Sequence, residues 1–126
     1  MNYSFEKLEV WHDARELTRI IYKITKEFPD DERFGIINQM RRAAISVSSN
    51  IVEDSYRSTG KDKSNFMTIA YSSLMELLNQ TIVSFDLSYI NDNQYKEIRS
   101  QIEKVSNKLN SLTKYFKSLQ NNIITP

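Results

Sequence analysis

The sequence has no cysteine, one histidine, two glycines and two prolines among its 126 residues. The absence of cysteine excludes disulfide bonds, thiolate zinc sites, iron–sulfur clusters and a cysteine nucleophile. One histidine cannot form a two-histidine metal motif within a chain, and it leaves few groups for acid–base catalysis near neutral pH. These absences argue against an enzyme, so we expect no catalytic residue, no metal and no cofactor.

An excess of charge of one sign is also missing, because 17 lysines and arginines balance 16 aspartates and glutamates, for a formal net charge of +1. A chain this close to neutral lacks the broad basic character of most nucleic-acid binders. No apolar run approaches the ~20 residues that cross a bilayer, and the N-terminus lacks the apolar segment of a signal peptide. We therefore expect a cytoplasmic protein with no membrane partner.

Apolar residues recur at alternating steps of three and four in two segments, which is the spacing of a helical core seam. In the first segment they are Val10, Ala14, Leu17, Ile21, Ile24 and Phe28. In the last they are Tyr95, Ile98, Ile102, Val105, Leu109, Leu112, Phe116 and Leu119. The first helix should end at Phe28, because Pro29 disfavours helical geometry in the residue before it. The third segment carries a broader apolar stripe, which predicts burial against more than one neighbour.

The sequence therefore predicts an all-α fold, with one domain over residues 1–126. Its helices are expected at 9–28, 36–57, 61–90 and 93–119, followed by a frayed tail at 120–126. Short connections at Pro29–Gly35, Ser58–Gly60 and Asn91–Asn93 favour antiparallel neighbours, and so an up-down-up-down four-helix bundle.

Glu9 and His12 have the Glu-x-x-His spacing that di-iron bundles use to direct two ligands inward from one helix. The core seam places both residues on the outer face instead. We therefore interpret them as a solvated pair, with a ligand set shared between subunits as the less favoured alternative.

The second helix carries polar residues along one face. They are Arg42, Ser46, Asn50, Glu53 and Arg57. Three interpretations stay open: a solvated face with ion pairs such as Glu53 with Arg57, a polar subunit interface, or a strip that contacts RNA phosphates. Glu76 stands within the apolar stripe of the third helix, where an unpaired carboxylate is costly to bury, so we expect it to pair with an arginine of the second helix, with Arg42 as the first candidate.

Charge is spread unevenly along the chain. Residues 1–32 carry five basic and eight acidic side chains, whereas residues 96–126 carry six basic and two acidic ones. The last helix is thus a basic amphipathic rod, which suits either phosphate contact or a soluble surface. The candidate RNA-contacting residues are Arg41, Arg42, Lys104, Lys108, Lys114 and Lys117. Asn50, Glu53, Arg57 and Glu76 are the candidates for holding the bundle or its interfaces.

Several motifs in order resemble one known family. They are Leu8–Trp11, Phe28-Pro29, Glu32–Ile36, Gln39–Ala44, Ser46-Val47, Asn50-Ile51, Ile69-Ala70, Ser73-Leu74, Glu76-Leu77 and Tyr89-Ile90. The chain resembles the four-helix bundle proteins encoded in intervening sequences of bacterial 23S ribosomal RNA genes. It departs from that pattern at Asp54 and Ser72, where the family usually has glycine.

The resemblance implies a left-handed bundle, assembly into a ring-shaped homopentamer and no catalytic residue. The expected function is that of a non-enzymatic, self-assembling bundle that binds structured RNA through phosphate contacts. The alternative is a protein scaffold or accessory protein that binds no nucleic acid.

Overall fold

The fold is all-α, with four long helices. The computed structural model describes residues 2–57 and 59–124, and the side chains of residues 60–64 and 120–124 are outside this description. The helices are α1 (Glu9–Thr25), α2 (Ile36–Ser55), α3 (Gly60–Asp86) and α4 (Asp92–Ile124). Short 3₁₀ turns at Ser4–Lys7 and Asp30–Glu32 precede α1 and α2. None of the residues in the two described ranges lies in a β-strand.

The helix ends differ from the expected ones. Helix α1 ends at Thr25, because the chain tightens into 3₁₀-type bonds from the Glu27 N–H to the Ile24 carbonyl and from the Phe28 N–H to the Thr25 carbonyl. Phe28 is still buried, with its ring centroid 5.2 Å from that of Tyr89. Helix α4 continues to Ile124, beyond the expected end at Leu119. Ser58 of the second connection and residues 125 and 126 of the expected tail lie outside the described residues.

Helix α3 ends four residues before the expected Ile90, in a Schellman motif. The Tyr89 N–H donates to the Ser84 carbonyl and the Ser88 N–H to the Phe85 carbonyl. This pattern places Ser88 in the left-handed region, at a φ of 62°. The motif reverses the chain after Asp86, so the residues up to Ile90 form a turn instead of a last helical turn.

Helix α4 begins with a capping box at Asn91, the first residue of the predicted cap-rich run. The Asn91 side chain accepts a hydrogen bond from the Gln94 N–H at 2.8 Å, and the Gln94 side chain accepts one from the Asn91 N–H at 2.9 Å. This reciprocal pair satisfies two N–H groups that a helix start leaves without intrahelical partners.

The helices enclose a shared apolar core. Helix α1 packs against α2 and α4, and α3 likewise packs against α2 and α4, whereas the described parts of α2 and α4 do not contact each other. The largest fully buried apolar side chains come from all four helices: Leu17, Ile21, Met40, Val47, Ile51, Met67, Leu74, Leu77, Ile98, Val105 and Leu109. Both predicted seams face this core, which leaves the polar residues of α2 and α4 on two separate sides of the molecule.

Candidate functional site

After Glu103, the outer surface of α4 carries three exposed lysines: Lys104, Lys114 and Lys117. No aspartate or glutamate follows Glu103 in the sequence, so this part of the helix is purely basic. At a rise of 1.5 Å per residue the three ammonium-bearing positions span about 20 Å of the helix. Exposed cations of this kind contact phosphates without distinguishing bases.

Lys108, the fourth lysine of this stretch, has a different environment. Its ammonium group forms a short hydrogen bond with the Asp13 carboxylate and lies 3.4 Å from the Glu9 carboxylate, which joins α4 to α1. The hydrogen bond from Lys108 to Asp13 raises the pKa of Lys108 above its ordinary value, against the opposing effect of desolvation. Two carboxylates therefore compensate this charge within the molecule.

Arg41 is also engaged inside the fold. Its guanidinium donates to the Thr25 hydroxyl at 3.0 Å and to the Tyr22 carbonyl at 3.3 Å, and it lies 4.5 Å from the centre of the Tyr22 ring. These contacts fasten α2 to the last turn of α1. Of the adjacent arginines, only Arg42 presents its charge to solvent.

Arg42 and Glu76 line one polar groove between α2 and α3, together with Phe34, Ser46 and Ser73. The Glu76 side chain is exposed and accepts a hydrogen bond from the Gln80 amide at 3.3 Å. The expected ion pair with Arg42 is absent from the described part of the chain, although both side chains line the same groove. Glu76 is therefore an exposed polar residue beside the apolar stripe of α3.

The predicted polar face of α2 is present. The Arg57 guanidinium lies 3.1 Å from the Glu53 carboxylate and 4.5 Å from the centre of the Phe66 ring of α3. The Asn50 amide donates to the Ser46 carbonyl at 2.8 Å, and the Ser46 hydroxyl lies 2.7 Å from that of Ser73. The Ser46–Ser73 contact joins α2 to α3, and Arg57, just after α2, reaches Phe66 of α3. Arg42 and the α4 lysines lie on helices whose described parts do not contact each other.

Glu9 and His12 both lie on the outer surface of α1, as the seam predicts. The His12 Nε2 donates to the Glu6 carbonyl at 2.6 Å. Among the described residues, no group of three or more histidines, aspartates and glutamates is placed to hold a metal ion. Likewise, none of the helices within the described ranges is both long enough and apolar enough to cross a membrane.

The match to a known protein family covers most of the chain. Residues 6–111 match the model of the 23S rRNA-intervening sequence protein family. The chain belongs to this family. Its fold is similar to the crystal structure of a protein of unknown function of the S23 ribosomal protein family from Bacteroides thetaiotaomicron, with a TM-score of 0.74 and 24% identity over 83% of this chain and 98% of that one. No curated protein shows significant sequence similarity to the chain.

Two positions depart from the usual pattern of the 23S rRNA-intervening sequence proteins. Asp54 is buried in the last turn of α2, with 2% of its surface exposed, and Ser72 is exposed on α3. The Ser72 side chain therefore reaches solvent, whereas the Asp54 side chain occupies interior space that a glycine would leave open.

Two further surface features in this member of the family were not predicted. Phe34, between the Asp30–Glu32 turn and α2, is 88% exposed. An open groove between α3 and α4 has Tyr71, Met75 and Leu78 on its α3 wall, with the basic residues Lys96 and Arg99 on its α4 wall. An apolar residue in a connection, outside any helical periodicity, is the sequence signal that could have identified Phe34. The groove has no such signal, because its walls come from two distant segments.

Proposed function

We propose that this protein is a non-enzymatic, self-assembling cytoplasmic bundle that binds structured RNA through phosphate contacts. The observation that carries the proposal is the purely basic stretch of α4 after Glu103, where Lys104, Lys114 and Lys117 are exposed and no acidic residue follows. The family's description, which links it to the intervening sequences of 23S rRNA, supports RNA as the ligand.

The proposal includes the arrangement of the helices and their assembly. The short connections and the cycle of contacts from α1 through α2, α3 and α4 back to α1 support antiparallel neighbours in a left-handed up-down-up-down bundle. The proposed assembly is a homopentameric ring. Each ring would repeat the α4 lysines five times, so a weak phosphate contact per subunit would add up over the assembly.

The test is a titration of a ribosomal RNA hairpin at several salt concentrations. We expect binding that weakens as salt rises, because each ammonium–phosphate contact releases counterions. The variant Lys114→Gln/Lys117→Gln should weaken binding to all structured RNAs and lower the slope of log K against log salt by about 1 for each lysine.

The matched control is Lys23→Gln/Lys26→Gln, which removes two exposed lysines from the acidic N-terminal part of the chain. This control should bind like the wild type. Absence of binding at low salt, or binding with no salt dependence, would refute the RNA proposal.

The second candidate function is a protein scaffold or accessory protein that binds no nucleic acid. It is favoured by the contacts that Arg41 and Lys108 make within the fold, which leave fewer free cations than the sequence contains. Under this alternative the wild type fails to bind the hairpin and co-purifies with a defined protein partner.

A further inference from the structure

We infer that Phe34 of one copy inserts into the groove between α3 and α4 of the neighbouring copy. This inference rests on the proposed self-assembly and names the contact that drives it. One surface of the contact is the acidic knob, which we define as Phe34 with the preceding turn Asp30–Glu32. The other surface is the basic groove, which we define by Tyr71, Met75, Leu78, Tyr95, Lys96 and Arg99.

The acidic knob exposes an aromatic ring without any evident role in folding. Phe34 is the most exposed of the large apolar side chains in the described ranges, at 88%. Its position is fixed by the hydrogen bond from the Gly35 N–H to the Glu32 carbonyl and by the start of α2 immediately after it. An aromatic side chain has only two rotatable χ angles and loses little conformational freedom on binding, which is why such residues often anchor protein interfaces.

The basic groove offers a half-buried apolar surface of the kind that receives an aromatic anchor. It is an open cavity of about 640 Å³, ample for a phenyl ring. Tyr95 is held in its wall by stacking on Phe85, with ring centroids 4.3 Å apart, and by a 2.8 Å hydrogen bond from Arg99 to its hydroxyl. The groove wall is therefore preformed, so docking requires little rearrangement.

The charges of the two surfaces are complementary. Asp30, Asp31 and Glu32 lie beside Phe34 and outweigh Arg33, whereas Lys96 and Arg99 line the groove and outweigh Glu103. The negative charge of the acidic turn acts on the nearby Tyr89. The pKa of Tyr89 is raised mainly by desolvation and further by the charges of Glu32 and Asp31. Opposite charges around a central aromatic contact fix the register of an interface and disfavour the reverse orientation.

The two surfaces lie on two faces of the molecule that meet at α3. Phe34 borders the groove between α2 and α3, and the basic groove lies between α3 and α4. A contact between two different surfaces is heterologous and propagates from copy to copy. Because these faces adjoin the same helix and do not point in opposite directions, each added copy turns about an axis, which favours closure into a ring over a straight filament.

Directed cross-linking tests the contact, because the chain has no cysteine of its own. The variant Arg33→Cys/Ser100→Cys places one thiol at an exposed position beside Phe34, whose ring stays in place, and one on the lining of the basic groove. Mild oxidation should convert it into a ladder of covalent oligomers on a denaturing gel. The control Tyr56→Cys/Ser100→Cys moves the first thiol to an exposed position at the opposite end of α2 and should give no ladder.

A second measurement uses Phe34→Ser, which removes an exposed side chain and should leave the helical content unchanged. Loss of an interface anchor should raise the apparent dissociation constant of the assembly by at least about thirtyfold. Tyr56→Ser is the control and should assemble like the wild type. A wild-type assembly, with no ladder from Arg33→Cys/Ser100→Cys and no effect of Phe34→Ser, would overturn this contact and leave self-assembly intact. A wild type that stays monomeric at micromolar concentration would overturn both.

Discussion

At the scale of the residue, Arg41 and Arg42 show how one step along a helix changes the role of a charge. A step of one residue rotates a side chain by about 100° around the helix axis, since a turn contains 3.6 residues. Arg41 therefore meets Thr25 and Tyr22 of α1, while Arg42 reaches the groove beside Glu76. Arg41 contributes to stability, and Arg42 is the one with a charge available for a partner.

Replacing Arg41 by Ala should lower the free energy of unfolding by about 1–2 kcal/mol, because it removes two hydrogen bonds and a cation–π contact. Arg42→Ala should change it by less than about 0.5 kcal/mol, since the side chain is exposed. Urea unfolding followed by circular dichroism measures both. Equal effects of the two substitutions would contradict the assignment of Arg41 to the α1–α2 contact.

Lys108 should make the free energy of unfolding depend on pH in the alkaline range. Its pKa is raised in the folded state by Asp13, so its contribution to stability is complete below the unfolded-state pKa and is lost as pH rises through the raised value. The variant Lys108→Met should be less stable than the wild type at neutral pH, and this difference should shrink above pH 10.5, the ordinary value for lysine. Urea unfolding midpoints of both proteins across the alkaline range measure the difference.

Lys114→Met serves as the control, because Lys114 is exposed on the same helix. Its stability should follow that of the wild type at each pH. A difference between Lys108→Met and the wild type that persists unchanged at the most alkaline pH would show that Lys108 acts through packing alone.

At the scale of the element, helix ends depend on local hydrogen bonds more than on the apolar pattern. The seams of α1 and α4 were predictable, because their spacing of three and four residues can bury a stripe only as helices. The end of α3 was not, since the apolar residues Tyr89 and Ile90 continue the pattern after the Schellman motif has stopped the helix. Ser88 gives no sequence signal for this motif, which usually contains glycine.

Ser88→Gly should stabilise the protein, because a residue with a Cβ is strained at a φ of 62° and glycine is not. The left-handed conformation costs a non-glycine residue about 1–2 kcal/mol, of which the greater freedom of glycine in the unfolded chain offsets a part. We expect a net gain of about 0.5–1 kcal/mol in urea unfolding.

The matched control is Ser49→Gly, at an exposed position within α2. It should lose about 0.5 kcal/mol, since glycine is a poorer helix former than serine. A destabilised Ser88→Gly would contradict the strain at this position.

The candidate site was predictable only in part. The basic character of α4 can be seen from the composition of residues 96–126. The apolar seam of the helix predicts that its lysines lie outside the core, and Lys104, Lys114 and Lys117 are exposed. The compensation of Lys108 by Asp13 was not predictable, because the two residues lie far apart in the sequence and meet only where α4 packs on α1. The exposure of Glu76 was not predictable either, because it depends on the groove that α2 and α3 form when they pack together.

At the scale of the whole molecule, the near-neutral net charge combines two regions of opposite sign. The acidic segment 1–32, which includes α1, and the basic last helix are neighbours, since α1 packs against α4. Part of this contrast is compensated where Lys108 meets Asp13 and Glu9. The remainder stays at the surface, as the acidic turn before Phe34 and the lysines of α4.

Self-assembly predicts that stability depends on protein concentration. Dissociation accompanies unfolding in an assembled protein, so the urea midpoint should rise as the protein concentration is raised. Circular dichroism at concentrations from about 1 to 100 times the dissociation constant would show this shift. A midpoint that stays constant over this range would contradict assembly.

The hydrogen bonds between described side chains of neighbouring helices are unevenly placed. Gln101 donates to the Asp13 carbonyl between α4 and α1, Arg41 to Thr25 between α2 and α1, and Ser46 pairs with Ser73 between α2 and α3. The described side chains of α3 and α4 meet through apolar and aromatic contacts, including the stacked rings of Phe85 and Tyr95, and no described hydrogen bond joins these two helices.

Apolar contacts are non-directional, and exchanges that conserve volume disturb them little. The α3–α4 contact can therefore accumulate substitutions over evolution without leaving a buried donor or acceptor unsatisfied. Because the walls of the basic groove belong to this contact, relatives of the protein could change the shape of that groove while keeping the fold.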